Sequence, residues 1–333
     1  MCVMIAKWMP EWERSRGTTI IFTGSSIGMV VSIPVAGLLC DGTFMGGWPA
    51  VFIVFGLAGC VWVVLWTVFV YESPDTHPYI SIEEYEFIVV NQTPDECRKS
   101  RVIPWKSIFT SIPVYALVIT HFCNNWTTFT LLALLPMYLR NILDISIPKV
   151  SLITSVTHLS HATIAWLAAY ISDIFRKYDT STNNIIRKTN NTIAFVGPAL
   201  CLLAVIYTRC NITETVILLI IATGLHGCHF SGFKSTHIDM APDFSGVLYG
   251  LTNAVANIGN MISPLVTALF LDQGHTLSNW ASIFYISILM YILGTGVYIV
   301  FASVELQCWA VHANNHNIQS NSDADKSKIS KNH

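Results

Sequence analysis

The chain has 333 residues, of which 53% are hydrophobic and 11% charged, with a mean hydropathy of +0.53 and a formal net charge of -2. Soluble domains carry roughly a quarter of charged residues, so a water-soluble globular protein is excluded and an all-α multi-pass membrane protein is expected. Nine cysteines occur singly, among them Cys40, Cys60, Cys123 and Cys201, which argues against a disulfide framework or a zinc ribbon.

Eight segments approach or exceed the ~20 residues that cross a hydrocarbon core. They run Thr18–Cys40, Pro49–Tyr71, Val114–Pro136, Leu152–Phe175, Thr192–Thr208, Thr215–Phe233, Ser245–Leu271 and Trp280–Ala302. Taken in order, the chain opens on Trp8-Met9-Pro10-Glu11-Trp12-Glu13-Arg14-Ser15-Arg16, a charged lead-in. The first span carries Gly24 and Gly28, a GxxxG pair that lets helices approach closely, then Pro34 and Gly37. The interval Glu72–Ser111 is the longest polar stretch before the tail, and Ser81-Ile82-Glu83-Glu84 within it is a helix-starting capping box. Tyr85, Phe87 and Ile88 follow, placed to lie on a membrane surface. Beyond Trp309 the tail is rich in Asn, Ser, Lys and His and cannot build a core.

All 18 Lys and Arg residues fall outside these spans, and 15 lie in alternate loops on one side. Only Arg140, Lys149 and Arg209 lie on the other. The positive-inside rule therefore places both termini and the Glu72–Ser111 loop in the cytosol. The expected organisation is a two-helix remnant over residues 1–71, a central loop over 72–111, a six-helix bundle over 112–305 and a disordered cytosolic tail over 306–333.

An internal repeat links the ends of the chain. Gly28, Pro34, Asp41, Trp48 and Phe52 recur as Gly259, Pro264, Asp272, Trp280 and Phe284, at separations of 230 to 232 residues. Homologous halves are typical of secondary transporters. If the first two spans match the last two of a six-helix half, four further helices are expected ahead of them.

The span interiors contain no Lys, Arg or Glu, and Asp173 near a cytosolic end is the sole acid. Charges inside a membrane are costly enough to mark function. Asp173 with Arg176, Lys177, Arg187 and Lys188 reads either as a cytosolic gate, in which the Asp pairs with a helix end, or as ordinary loop solvation. His158 with His161, and His226 with His229, each share a helix face. They read either as proton carriers, since imidazole titrates at about pH 6.5, or as polar side chains that line a cavity or bond to backbone; zinc would need closer convergence and further ligands, so no metal site is expected. Asn124, Asn125, Trp126, Ser25, Ser26, Asn253 and Asn257 form a polar midplane set. Together with His158 these are substrate-cavity candidates, with interhelical hydrogen bonding as the competing role.

Several motifs together resemble the anion/cation symporter family (solute carrier family 17) of the major facilitator superfamily. They are Trp8-x-Pro10-x-x-Glu13-Arg14-Ser15, Glu72-Ser73-Pro74-x-x-His77-Pro78, Pro104-Trp105 and His121-Phe122-x-x-Asn125-Trp126-Thr127. Further on come His237-x-Asp239-x-Ala241-Pro242, Gly250-x-x-Asn253 and Phe301-Ala302-x-x-Glu305-x-Gln307-x-Trp309-Ala310. The resemblance implies a major facilitator fold, of which these eight helices correspond to helices five to twelve, so that the chain is expected to be N-terminally truncated. It also implies transport of a small organic or inorganic anion (sialic acid-, glutamate- or phosphate-like) by rocker-switch alternating access, coupled to protons or sodium. The vesicular glutamate transporter-like branch has an arginine where Asn124 stands and a tyrosine where Phe129 stands, so the chain leans to the sialin-like side. The alternative is a short isoform that does not transport and pairs with or regulates a full-length relative. The resemblance implies a lysosomal, vesicular or plasma membrane. No enzyme motif, organic cofactor or nucleic-acid partner is indicated, and the oligomeric state is open.

Overall fold

The computed structural model describes residues 8, 14–41, 47–71, 73–90, 103–178, 183–208, 211–241, 244–272, 274–307 and 309. Every regular element among them is helical. The long ones are α1 (Arg14–Asp41), α2 (Trp48–Phe69), α5 (Ile112–Thr128), α7 (Ile147–Tyr178), α8 (Asn183–Tyr207), α9 (Ile212–His226), α11 (Ser245–Leu271) and α12 (Leu277–Phe301). Shorter helices are α3 (Ile82–Val90), α4 (Trp105–Thr110), α6 (Leu135–Asn141) and α10 (Phe233–Met240). Each expected span thus coincides with a long helical passage. Five passages among the described residues are long and apolar enough to cross a membrane, the third of them running from Ile212 through Met240.

Two compact units emerge from the packing: residues 1–97 with 135–162, and residues 98–134 with 163–333. The first boundary falls inside the Glu72–Ser111 loop.

In the first unit, α2 is exposed along nearly its whole length, with Leu57, Val61, Trp62 and Val64 each more than half uncovered. An apolar surface of this extent has no stable place in water and fits lipid. Gly24 and Gly28 of α1 face open space, and the close approach comes instead at Gly37, where an added Cβ would collide with Ser151 of α7. Ser155 of α7 then donates to the Val30 carbonyl at 2.6 Å. The opening motif meets the start of the loop motif: Trp8 Nε1 donates to the Tyr71 carbonyl (3.1 Å), and its ring lies 5.7 Å from that of His77. At α3, Ser81 Oγ accepts from the Glu84 amide as the capping box requires, and Ile88 turns inward while Phe87 remains exposed. Residues 9–13, 72 and 91–102 lie outside the described residues.

The second unit is built on α5, against which α11 and α12 pack, and on α8, against which α9 and α12 pack. Small residues set these approaches. Gly259 of α11 would place a Cβ 3.1 Å from the Phe122 carbonyl, and Gly294 of α12 would place one 2.5 Å from Phe195 and 3.0 Å from Cys123. Thus the two repeat-related glycines differ: Gly259 is seated on a neighbouring helix, whereas Gly28 is not. Around these contacts Trp280, Tyr291, Tyr298, Phe195 and Phe233 are fully buried. After α5 the chain makes one π-helical turn, Phe129–Ala133, closed by a Leu134 N–H to Phe129 carbonyl bond of 3.2 Å. Pro136 lacks an N–H and crowds the carbonyl four residues before it, and a wider turn upstream accommodates that defect. Past α12, the Gln307 amide donates to the Met240 carbonyl (3.0 Å) and Trp309 lies 6.3 Å from Phe244; residues 310–333 fall outside the description.

Candidate functional site

Polar side chains of the second unit on α5, α8, α10, α11 and α12 fall into three groups.

The first is a charged clamp. Arg187, expected at a loop edge, instead sits inside α8 with a side chain only 5% exposed. Its Nε donates to Asp239 Oδ2 of α10 at 2.8 Å, and its Nη1 donates to the Ser231 carbonyl, also at 2.8 Å. Asn183 Nδ2 donates to the same carboxylate oxygen at 3.2 Å. Burial strips water from both ions, so the extra hydrogen bonds are what make the placement tolerable. Beside the clamp, Asn190 Nδ2 donates to Ser172 Oγ (2.8 Å), and Lys188 Nζ caps the end of α12 through the Ile299 carbonyl (2.9 Å). Asp173 is exposed, and the side chain of Arg176 lies outside the description.

The second group is a hydroxyl–imidazole chain. Thr252 of α11 lies between His121 of α5 (3.0 Å to Nδ1) and His237 of α10 (2.9 Å to Nε2). The rings of Phe233 and Tyr249 stand against both imidazoles, at 5.2 and 5.5 Å from His121. Immediately before His237, Thr236 Oγ1 shares a 2.6 Å hydrogen bond with the buried Tyr298 hydroxyl.

The third group is the amide set. Asn124 and Trp126 are buried on α5, and Asn125 is half-buried. Asn124 Nδ2 donates to Asn125 Oδ1 and Thr128 Oγ1, each at 3.4 Å. Its Oδ1 is buried with no hydrogen-bond partner among the described residues. On α11, Asn253 is half-buried, whereas Asn257 is exposed and accepts from Asn260 Nδ2 at 3.2 Å. His226 and His229 are buried, with ring centroids 4.7 Å apart and His229 Nδ1 donating to the His226 carbonyl at 2.7 Å. His158 belongs to the first unit, where it is buried on α7; there Ser26 is buried and Ser25 exposed on α1.

Residue spacing brought Asn124, Asn125 and Trp126 together but did not single out Thr252, Asp239, His121 or His237 as site residues. Arg187 and Asp239 are 52 positions apart, and His121 and Thr252 131. No helical period connects residues so distant. The one usable signal was that His121, His237 and Asp239 stand within the motif stretches.

The sequence profile of the Major Facilitator Superfamily matches residues 1–264. Similar curated proteins include a putative inorganic phosphate cotransporter of Drosophila ananassae, 35% identical over 308 residues, which cover 92% of this chain and 64% of the relative. Sialin of Homo sapiens is 33% identical over 312 residues, covering 94% and 62%. Vesicular glutamate transporter 2 of Homo sapiens is 34% identical over 309 residues, covering 92% and 52%. The chain therefore spans between about half and two thirds of the length of these relatives.

Proposed function

This chain belongs to the Major Facilitator Superfamily, and from that premise we propose that it serves the secondary active transport of a small organic or inorganic anion across a membrane. The solute is a phosphate-, glutamate- or sialic acid-like anion, and movement is by alternating access coupled to a proton or sodium gradient. The names of the similar proteins, which include a phosphate cotransporter and glutamate transporters, support this solute class.

The observation that carries the reading is Asn124 Oδ1, buried on α5 beside Asn125 and Trp126 with no hydrogen-bond partner among the described residues. A buried amide oxygen without a partner costs about 1–3 kcal/mol, and a bound solute that donates to it recovers that cost. Asn125 and Asn253, both half-buried, add amide donors suited to hydroxyl or carboxyl oxygens. The anion's charge requires a cation besides these amides, and the buried Arg187 is committed to Asp239.

The test is uptake of labelled phosphate, glutamate and sialic acid into proteoliposomes holding the 333-residue chain, under an imposed proton or sodium gradient. Gradient-dependent uptake of one of them is expected, with Asn125→Ala and Asn253→Ala raising KM. Absence of uptake of all three under either gradient refutes the reading.

A further inference from the structure

Three buried residues on three helices meet at one hydroxyl. Thr252 Oγ1 lies 3.0 Å from His121 Nδ1, 2.9 Å from His237 Nε2 and 3.2 Å from the Tyr249 carbonyl one turn back. None of His121, Thr252 and His237 is more than 1% exposed. The tautomers follow from their surroundings. His237 Nδ1 faces the carbonyl oxygens of Phe233 and Lys234, each at 3.1 Å. A carbonyl only accepts, so Nδ1 carries a hydrogen. In the neutral ring Nε2 is then a bare acceptor, and the Thr252 hydroxyl donates to it. With its hydrogen so placed, Thr252 Oγ1 accepts from His121 Nδ1–H.

We infer that His121, Thr252 and His237 form a proton-binding relay in which one proton passes between the two imidazoles through the threonine hydroxyl. A proton arriving on His121 Nε2 makes that ring an imidazolium. Its Nδ1–H bond breaks as a new Oγ1–H bond forms, and the old Oγ1–H bond breaks as His237 Nε2–H forms. His121 is left neutral with its hydrogen on Nε2, His237 holds the charge, and Thr252 regains its original composition. In the loaded state His237 Nε2–H donates to Oγ1, whose own hydrogen turns to His121 Nδ1 or to the Tyr249 carbonyl. The Thr252 hydroxyl, His121 Nδ1 and both nitrogens of His237 therefore keep a partner before and after transfer.

The ionisable groups set against the pair are Lys234 on α10, whose positive charge opposes a further cation there, and Tyr249 on α11, with Tyr298 of α12 held by the neighbouring Thr236 and the Arg187–Asp239 ion pair beyond it. Asp239 is neutralised by Arg187. Because the three members sit on α5, α10 and α11, a relative shift of about 1 Å among these helices takes a contact beyond hydrogen-bond range and interrupts the relay. Proton transfer is thereby tied to helix placement, as a coupling site requires. This assignment rests on the transport reading only for what the proton drives.

The experiment uses the full chain in lipid nanodiscs with 15N-labelled histidine, following ring nitrogen resonances against pH. His121→Gln and His237→Gln assign the signals. A single linked protonation is expected at both rings, with His237 retaining its Nδ1 hydrogen throughout. Thr252→Ser keeps the linkage, whereas Thr252→Val, which has the same shape without the hydroxyl, separates it into independent titrations. Independent titration in the unaltered chain, persistence of linkage in Thr252→Val, or failure of either ring to protonate while the chain stays folded each overturns the relay. In proteoliposomes Thr252→Val is expected to abolish the dependence of uptake on a pH gradient, and Thr252→Ser to preserve it; a pH dependence unchanged in Thr252→Val overturns the coupling role. If the chain shows no uptake at all, the transport reading fails while the resonances still decide the relay.

Discussion

Replacing Asp239 by asparagine keeps the shape of the clamp and removes one charge. At 2.8 Å and an effective dielectric of ~20, the gross attraction between Arg187 and Asp239 is about 6 kcal/mol. Nearly all of that offsets the desolvation of two side chains that are 5% and 13% exposed, so the intact pair contributes little net stability. The asymmetry appears on breaking it. Asp239→Asn leaves the Arg187 guanidinium buried without its counter-ion, at a cost of about 3 kcal/mol or more. Thermal unfolding of the purified chain in micelles, followed by tryptophan fluorescence, is expected to shift down by about 6 °C. Adding Arg187→Met to Asp239→Asn removes the stranded charge and restores stability to within ~1–2 kcal/mol of the unaltered chain, the remainder reflecting the Ser231 carbonyl that loses its donor. A melting temperature within about 1 °C of the original for Asp239→Asn, or a double variant no more stable than the single one, refutes this account.

Glycine positions on α12 give a matched pair. Gly294→Ala drives a methyl into Phe195 and Cys123 and is expected to cost about 1–3 kcal/mol by thermal unfolding, whereas Gly296→Ala meets open space and is expected to gain up to about 1 kcal/mol in helix propensity. Thr236→Val strands the buried Tyr298 hydroxyl and is expected to lower stability by about 1–3 kcal/mol, with Thr236→Ser retaining most of it. In the first unit Gly37→Val collides with Ser151 and is expected to reduce the folded yield measured by size-exclusion chromatography, while Gly28→Val, facing open space, leaves it unchanged.

How much was legible in the sequence follows from the range of each interaction. Hydrophobic length gave the eight helical passages, because in lipid a backbone must satisfy its polar groups within the segment, and that requirement is local. The capping box at Ser81 was readable for the same reason: donor and acceptor are three residues apart. The GxxxG pair at Gly24 and Gly28 is not where helices meet, since a glycine marks where an approach is sterically possible and not where a partner stands; Gly37, Gly259 and Gly294 are among the seated ones. Family membership was likewise accessible from motifs and the 230-residue repeat. The grouping within the second unit was not. Arg187 looked like a loop cation until α8 carried it inward to Asp239, and His121, Thr252 and His237 come from three separate helices. Sequence by itself determined that this is a multi-pass helical membrane protein, because hydropathy acts residue by residue. Only the tertiary structure decided which polar groups share a hydrogen bond, because those pairings are made between helices and follow from how their surfaces fit.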